Sequence, residues 1–197
     1  MTRFETPPTS GMLLSCGDAL IDFLPAKSAD VRDALVPVVG GSCLNVAIGI
    51  ARLGAPAGFV GGISTDLFGR IIVDHAGVRS HGRRGAALRL LRRRHGRPGM
   101  TYRQGSIPFA EADAIHFGST TLADVRAAGQ TLALVEDARG ATTISFDPNC
   151  RPDLIDDKAE YVRRMDRFAA MPENLASLVP ARSAHGPLPI ATANRMP

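Results

Sequence analysis

Short apolar runs alternate along this chain with longer segments in which apolar residues recur every three or four positions. Runs over residues 12–16, 58–63, 114–117 and 142–146 have the length of buried strands. Three of them run into turn residues: Gly17, Gly118 and the pair Asp147-Pro148. Helical spacing follows each run or its loop. Val46, Ile50 and Leu53 form one stripe between Gly41 and Gly54, and Leu67, Ile71 and Ile72 form another over residues 66–76. Val125, Leu132 and Val135 mark a helix over 123–139, and Tyr161, Met165 and Phe168 one over 157–171. Residues 18–24 read as a strand exit, and residues 27–36, between Pro25 and Pro37, as mixed and polar. Strands alternating with helices predict an α/β fold with a parallel sheet.

The two ends lack these periods. Residues 1–11 read as a disordered leader, and residues 172–197, rich in proline, as an irregular tail. The domain between them is expected to span residues 12–171, with one interruption. Between Arg79 and Arg97 lie eight arginines and no acidic residue. The formal charge of +4 comes from this insert, and the rest of the chain is mildly acidic. Three readings suit it: a nucleic-acid patch without stacking aromatics, a basic amphipathic helix over 86–94, or a solvated or out-of-frame stretch. The last is favoured, because arginine outnumbers lysine 21 to 2, as in GC-rich coding DNA.

With 45% apolar and 21% charged residues in 197, the composition is that of a globular domain. No run of 18 apolar residues suggests a membrane span, and residues 1–11 have no apolar stretch typical of a secretory signal. Cys16, Cys43 and Cys150 are odd in number and not spaced as zinc ligands, so a cytoplasmic setting is expected. His75 and His116 are isolated in sequence and read as structural or surface residues.

Three segments carry candidate chemistry, each after a predicted strand, where ligands collect in open α/β sheets. In Gly17-Asp18-Ala19-Leu20-Ile21-Asp22, a carboxylate past a strand end can accept hydrogen bonds from sugar hydroxyls. In Gly40-Gly41-Ser42-Cys43-Leu44-Asn45-Val46-Ala47, paired glycines admit close approach to the backbone and a helix start offers free N–H groups. Asn45 there can both donate and accept. No Gly-Lys-Ser/Thr follows, so this is not a Walker A loop. Asp147-Pro148-Asn149-Cys150-Arg151-Pro152 gathers a carboxylate, an amide and a guanidinium. Each segment taken alone also suits an ordinary turn or cap.

Together they resemble the N-terminal half of the ribokinase-like (PfkB) carbohydrate kinases, in their fructokinase and 2-keto-3-deoxygluconate kinase branch. The likeness runs from Gly40 to Gly54, with Asn45 and Ala47 in step, and on through Phe59-Val60-Gly61-Gly62-Ile63-Ser64-Thr65-Asp66-Leu67-Phe68-Gly69. Ser64 stands where the family usually has glycine. The resemblance covers residues 12–76 and 112–171. It implies an incomplete ribokinase-like parallel sheet flanked by helices, with a small β-lid drawn from residues 24–38 and from the region of the Arg-rich insert. It implies that Asp22, Gly40, Gly41 and Asn45 line a sugar site and that Arg103 reaches the substrate. Asn149 and Arg151 would sit near the substrate and phosphate side. ATP and Mg2+ are the cofactors it implies.

The family's Gly-Ala-Gly-Asp run, whose last Asp would be the general base, does not occur in these 197 residues. No catalytic residue is therefore assigned, and a truncated carbohydrate kinase, inactive alone, is expected. The Arg-rich insert and the tail together suggest a disrupted gene, with a frame change near residue 78 restored near 100 and a second near 172. A sugar-binding remnant without catalysis is the second reading and a nucleic-acid-binding protein the weakest. The expected partners are a small-molecule sugar and further copies of the chain, paired through the lid or an exposed sheet edge.

Overall fold

The computed structural model describes residues 11–30, 32–80, 88–93, 102–171 and 175–177. Of the expected leader only Gly11 is among them, and of the tail only residues 175–177. Strands β1 (Met12–Cys16), β2 (Leu20–Lys27), β3 (Asp33–Gly40), β4 (Ala57–Gly62), β5 (Leu88–Arg93), β6 (Ala112–Gly118), β7 (Thr143–Asp147) and β8 (Leu175–Ser177) alternate with four helices. These are α1 (Ser42–Arg52), α2 (Leu67–Ser80), α3 (Val125–Ala138) and α4 (Lys158–Ala169). Six strands form one parallel sheet in the order β5-β4-β1-β6-β7-β8, and β2 and β3 pair as a separate antiparallel hairpin.

The order places β1 in the middle. The chain builds outward to β4 and β5 on one side, then returns past β1 to build β6, β7 and β8 on the other. The crevice between the C-terminal ends of β1 and β6 is thus the topological switch point, where open α/β sheets bind ligands. Inward residues of both sheet faces pack against helices. Leu14, Cys16, Val60, Ile115, Phe117, Ile144 and Phe146 join Leu134 and Val135 of α3 and Phe168 of α4 in one core. Cys43, Leu44, Ala47 and Ile48 of α1 join Phe59, Ile63, and Ile72 and Ala76 of α2 in a second. Helix starts at α3 and α4 are capped by Asp124 and Asp157, whose side chains accept from the N–H groups of Ala127 and Glu160.

Four sequence expectations change. Residues 20–40 are not a strand exit followed by a mixed polar stretch but a full hairpin, so the lid segment expected from 24–38 is longer at both ends. The turn at Ser28–Arg32 closes it, aided by an ion pair between Lys27 and Asp33. The buried stripe of α1 is Cys43, Leu44, Ala47, Ile48 and Ala51, whereas Leu53 is 88% exposed at the helix end. Val46 and Ile50 are half-buried beside that stripe. Within the Arg-rich insert, residues 88–93 form neither a helix nor a lid strand but the edge strand β5, whose backbone pairs with β4 over Ala57–Gly62. The backbone hydrogen bonds offered by the open edge of β4 outweigh the weak helical pattern there. At the other edge, residues 175–177 of the expected irregular tail pair with β7 as β8. Four strands of the parallel sheet were read from apolar runs, and the two that complete it are its edge strands, β5 and β8.

Candidate functional site

The strand-to-helix junction after β3 is fixed by backbone packing. Gly41 has φ 110° and caps α1 without a side-chain hydrogen bond. A Cβ there would stand 2.5 Å from the carbonyl oxygen of Asp18 and 3.0 Å from Cα of Ala19. Only glycine meets both demands, left-handed φ and backbone contact. The start of α1 is thereby pressed against the loop leaving β1. Gly17 lies equally close to Cys43, whose Sγ would be 2.5 Å from a Cβ on it.

Asp18 is the hub of this junction. It is 9% exposed. Ser42 Oγ donates to its Oδ1 at 3.4 Å, and Thr120 Oγ1, beyond β6, donates to its Oδ2 at 3.3 Å. One carboxylate therefore bridges the start of α1 to the loop after β6. That loop is joined to β7 in turn: the N–H of Ser119 donates to the carbonyl of Asp147 at 3.2 Å. Asp147 starts the third motif. The Asn149 N–H donates to its Oδ1 at 2.9 Å, closing a turn in which Asn149 takes φ 42°, a conformation Asn tolerates better than most residues. The following Cys150 lies beside Tyr161 of α4, whose hydroxyl pKa is raised first by burial and then by Cys150.

The electrostatics report the same convergence. The Cys43 thiol is pushed up to about 12, first by burial, then by the Asp18 carboxylate, with Asp147 adding in the same direction. Cys16, fully buried, is raised further by burial and by Cys43. These thiols are protonated and inert near neutral pH. On β6, His116 Nδ1 lies 3.1 Å from Ser145 Oγ of β7, and burial lowers its pKa below 6.5, partly offset by Asp147. Ser15 Oγ donates to the carbonyl of Cys43 at 2.8 Å, locking β1 to α1.

The residues singled out in the sequence divide into three groups. Gly40, Gly41 and Asn45 are contiguous at the β3–α1 junction, and Asp22 sits across the hairpin with its carboxylate packed over Gly40. Asp22 and Asn45 are exposed, and neither side chain is hydrogen-bonded among the described residues. Asn149 and Arg151 follow β7 at the same end of the sheet, Arg151 exposed at the start of a short 3-10 turn, Pro152–Leu154. Arg103 lies elsewhere. The Tyr102 N–H donates to Gln130 at 2.7 Å, the Tyr102 hydroxyl bonds Asp137, and the Gly105 N–H donates to Asp137 at 2.9 Å. Its segment thus runs along α3 from Gln130 toward Asp137 in the last turn. Asp18, Ser119, Thr120 and Asp147 complete the crevice. Asp18 and Asp147 stand in the first and third motifs, and their places just past strand ends were the available signal. Ser119 and Thr120 carried none.

Among the described residues, no group of three or more His, Cys, Asp or Glu side chains could hold a metal ion, and no helix is long and apolar enough to cross a membrane. The Gly-Ala-Gly-Asp run does not occur in these 197 residues.

No family model matches the sequence. The chain is 31% identical over 178 residues to a fructokinase of Rhizobium leguminosarum bv. trifolii, an alignment covering 81% of this chain and 55% of that protein. The crystal structure of fructokinase from Xylella fastidiosa superposes with a TM-score of 0.69 at 22% identity, over 84% of this chain and 59% of that one. The Xylella enzyme has also been solved with bound ATP. A PfkB protein from Polaromonas sp. JS666 superposes with a TM-score of 0.56 at 20% identity, over 84% of this chain and 65% of that one. The chain spans about half the length of the curated relatives it matches.

Proposed function

For this chain, which is fructokinase-like and corresponds to the N-terminal part of the PfkB carbohydrate-kinase fold, we propose that the crevice at the C-terminal ends of β1, β6 and β7 holds the sugar of a fructokinase-like site. The observation that carries this reading is the chain of contacts at the switch point: Asp18 of the first motif accepts from Ser42 of the second and from Thr120 of the loop after β6, and that loop is bonded through the Ser119 N–H to Asp147 of the third. The junction offers what a polyhydroxy ligand needs. Asn45 supplies an unengaged amide, Asp22 an unengaged carboxylate, and the Gly40-Gly41 backbone a surface without side chains. Asn149 and Arg151 stand on the β7 side, where a guanidinium can meet a phosphate or a keto-sugar oxygen. Arg103 is not assigned to this pocket.

These 197 residues are proposed to bind sugar without transferring phosphate. Phosphoryl transfer rests on positioning and charge stabilisation by a nucleotide site and a base, and the Gly-Ala-Gly-Asp run whose Asp would be that base does not occur in these 197 residues. In the whole carbohydrate kinase, this part would supply the acceptor side of the reaction.

Calorimetric titration of the full chain with D-fructose, beside D-glucose and glycerol, tests the reading. Saturable binding of fructose is expected, weakened about tenfold in Asn45→Ala, the loss of roughly one ligand hydrogen bond. Thermal unfolding of that variant should be unchanged, because Asn45 is exposed and its amide is unengaged. Fructose binding that Asn45→Ala leaves intact would refute the assignment.

A further inference from the structure

Among the described residues at the switch point, Ser119 is one that the fold itself does not explain. It is 1% exposed, and its Oγ has no hydrogen-bond partner among the described residues. Its φ is 90°, a conformation that serine rarely adopts and that glycine takes freely. The backbone needs this conformation: the Ser119 N–H reaches the carbonyl of Asp147 at 3.2 Å while its own carbonyl accepts from Leu122 at 3.2 Å. Glycine would satisfy both bonds without strain. The chain instead carries a side chain that costs conformational energy and buries an unpaired hydroxyl. Costs of this kind persist at ligand sites, where an incoming group supplies the missing partner.

Resting on the sugar reading above, we propose that Ser119 is a specificity-determining residue whose hydroxyl pairs with a sugar hydroxyl at the β1–β6 crevice. The neighbours define the ligand's chemistry. Thr120 Oγ1, the next side chain, bonds Asp18, and Ser119 itself is bonded to the Asp147 backbone. The Asp18 carboxylate held by Thr120 beside the position disfavours an anion. A neutral hydroxyl can donate to a carboxylate and accept from serine, so an uncharged polyol group fits.

Two substitutions separate this role from a structural one. Ser119→Gly removes the hydroxyl and relieves the positive φ. Its melting temperature without ligand should rise or hold, and its affinity for D-fructose should fall about tenfold. Ser119→Ala removes the unpaired hydroxyl but keeps the strained φ, so it should lose the same affinity with a smaller gain in melting temperature than Ser119→Gly. Fructose affinity within twofold of the unaltered chain in both variants overturns this proposal and leaves the sugar reading standing. A lower melting temperature in Ser119→Gly also overturns it, since the hydroxyl would then serve the fold. If the unaltered chain binds no fructose while still cooperatively folded, the sugar reading fails and this proposal falls with it.

Discussion

The two faces of the central sheet are built from the same strands and do different work. Toward α3 and α4 the strands present Leu14, Cys16, Ile115, Phe117, Ile144 and Phe146, all buried. Phe117 stacks on Phe146 with ring centroids 4.8 Å apart, and Phe168 of α4 closes the cluster at 5.4 and 5.8 Å. The opposite face is apolar only where α1 and α2 cover β1 and β4. Over β6 and β7 it carries His116, Ser145 and Asp147, each half-buried. Period-two alternation places each residue on one face or the other, so a single strand such as β6 gives Ile115 and Phe117 to a dry core and His116 to the polar row. The comparison teaches where function can be accommodated: polar groups collect on the face that is less completely packed and lead to the switch point at its upper end.

The sharpest way to break this contrast is to damage the apolar face. Phe117→Ala deletes a fully buried ring from a three-ring cluster and should cost about 3–5 kcal/mol. That is a large share of the ~5–15 kcal/mol typical of a domain. Urea denaturation should show a much lower midpoint. A loss below 1 kcal/mol would mean that the aromatic cluster is not the stabilising core.

Gly41→Ala probes the junction on the other face. The new Cβ would meet the Asp18 carbonyl and hold a left-handed φ, so a loss of about 1–3 kcal/mol is expected. Here stability and binding should fall together, because the same contact positions α1 against Asp18. Phe117→Ala, by contrast, should leave fructose affinity unchanged under conditions where the variant is folded. If Gly41→Ala unfolded normally but bound fructose poorly, the glycine would serve the ligand and not the junction.

The same contrast explains what the sequence could reveal. The β1, β4, β6 and β7 strands were legible as short apolar runs and the four helices as apolar residues recurring every three or four positions, although Leu53, Leu67 and Val125 of those stripes are exposed. The hairpin was not. Phe23, Leu24, Leu35, Val36 and Val38 are apolar yet 39–63% exposed, and Pro25 and Pro37 sit within the paired strands. A two-stranded ribbon off the main sheet keeps those prolines on an open edge, where missing donors cost little. The edge strands β5 and β8 owe their place to partners β4 and β7, which no local pattern announces. At the β3–α1 junction, Gly40, Gly41 and Asn45 stand out in the sequence because glycines and a polar residue cluster locally, and the hairpin brings Asp22 over Gly40. Ser119 was silent, since a serine after Gly118 is an ordinary loop residue until its φ and its unpaired hydroxyl are seen. Arg103 shows the converse: a residue type suited to the chemistry, exposed in a segment that is bonded to Gln130 and Asp137 of α3.

The smallest expected effect sharpens the comparison on the polar row itself. His116 is held below its ordinary pKa of 6.5 by burial, against a weaker opposing pull from Asp147. Its unfolded form therefore binds a proton at a higher pH than its folded form. The contribution to stability is fully present above pH 6.5 and is lost as pH falls from there through the folded value, where the half-buried ring must accept charge. Lowering the pH through this window should destabilise the chain, and His116→Gln should flatten that slope while leaving the acid unfolding of the carboxylates in place. Asp137 and Asp66, whose pKa values are lowered by hydrogen bonds from Tyr102 and Ser64, act only below the carboxylate range near 3.8 and do not overlap with it. Urea midpoints measured between pH 7.5 and 5 for the two proteins check this. A slope equally steep in His116→Gln would show that the polar row carries no buried neutral imidazole, and that the two faces of β6 differ less than their residues indicate.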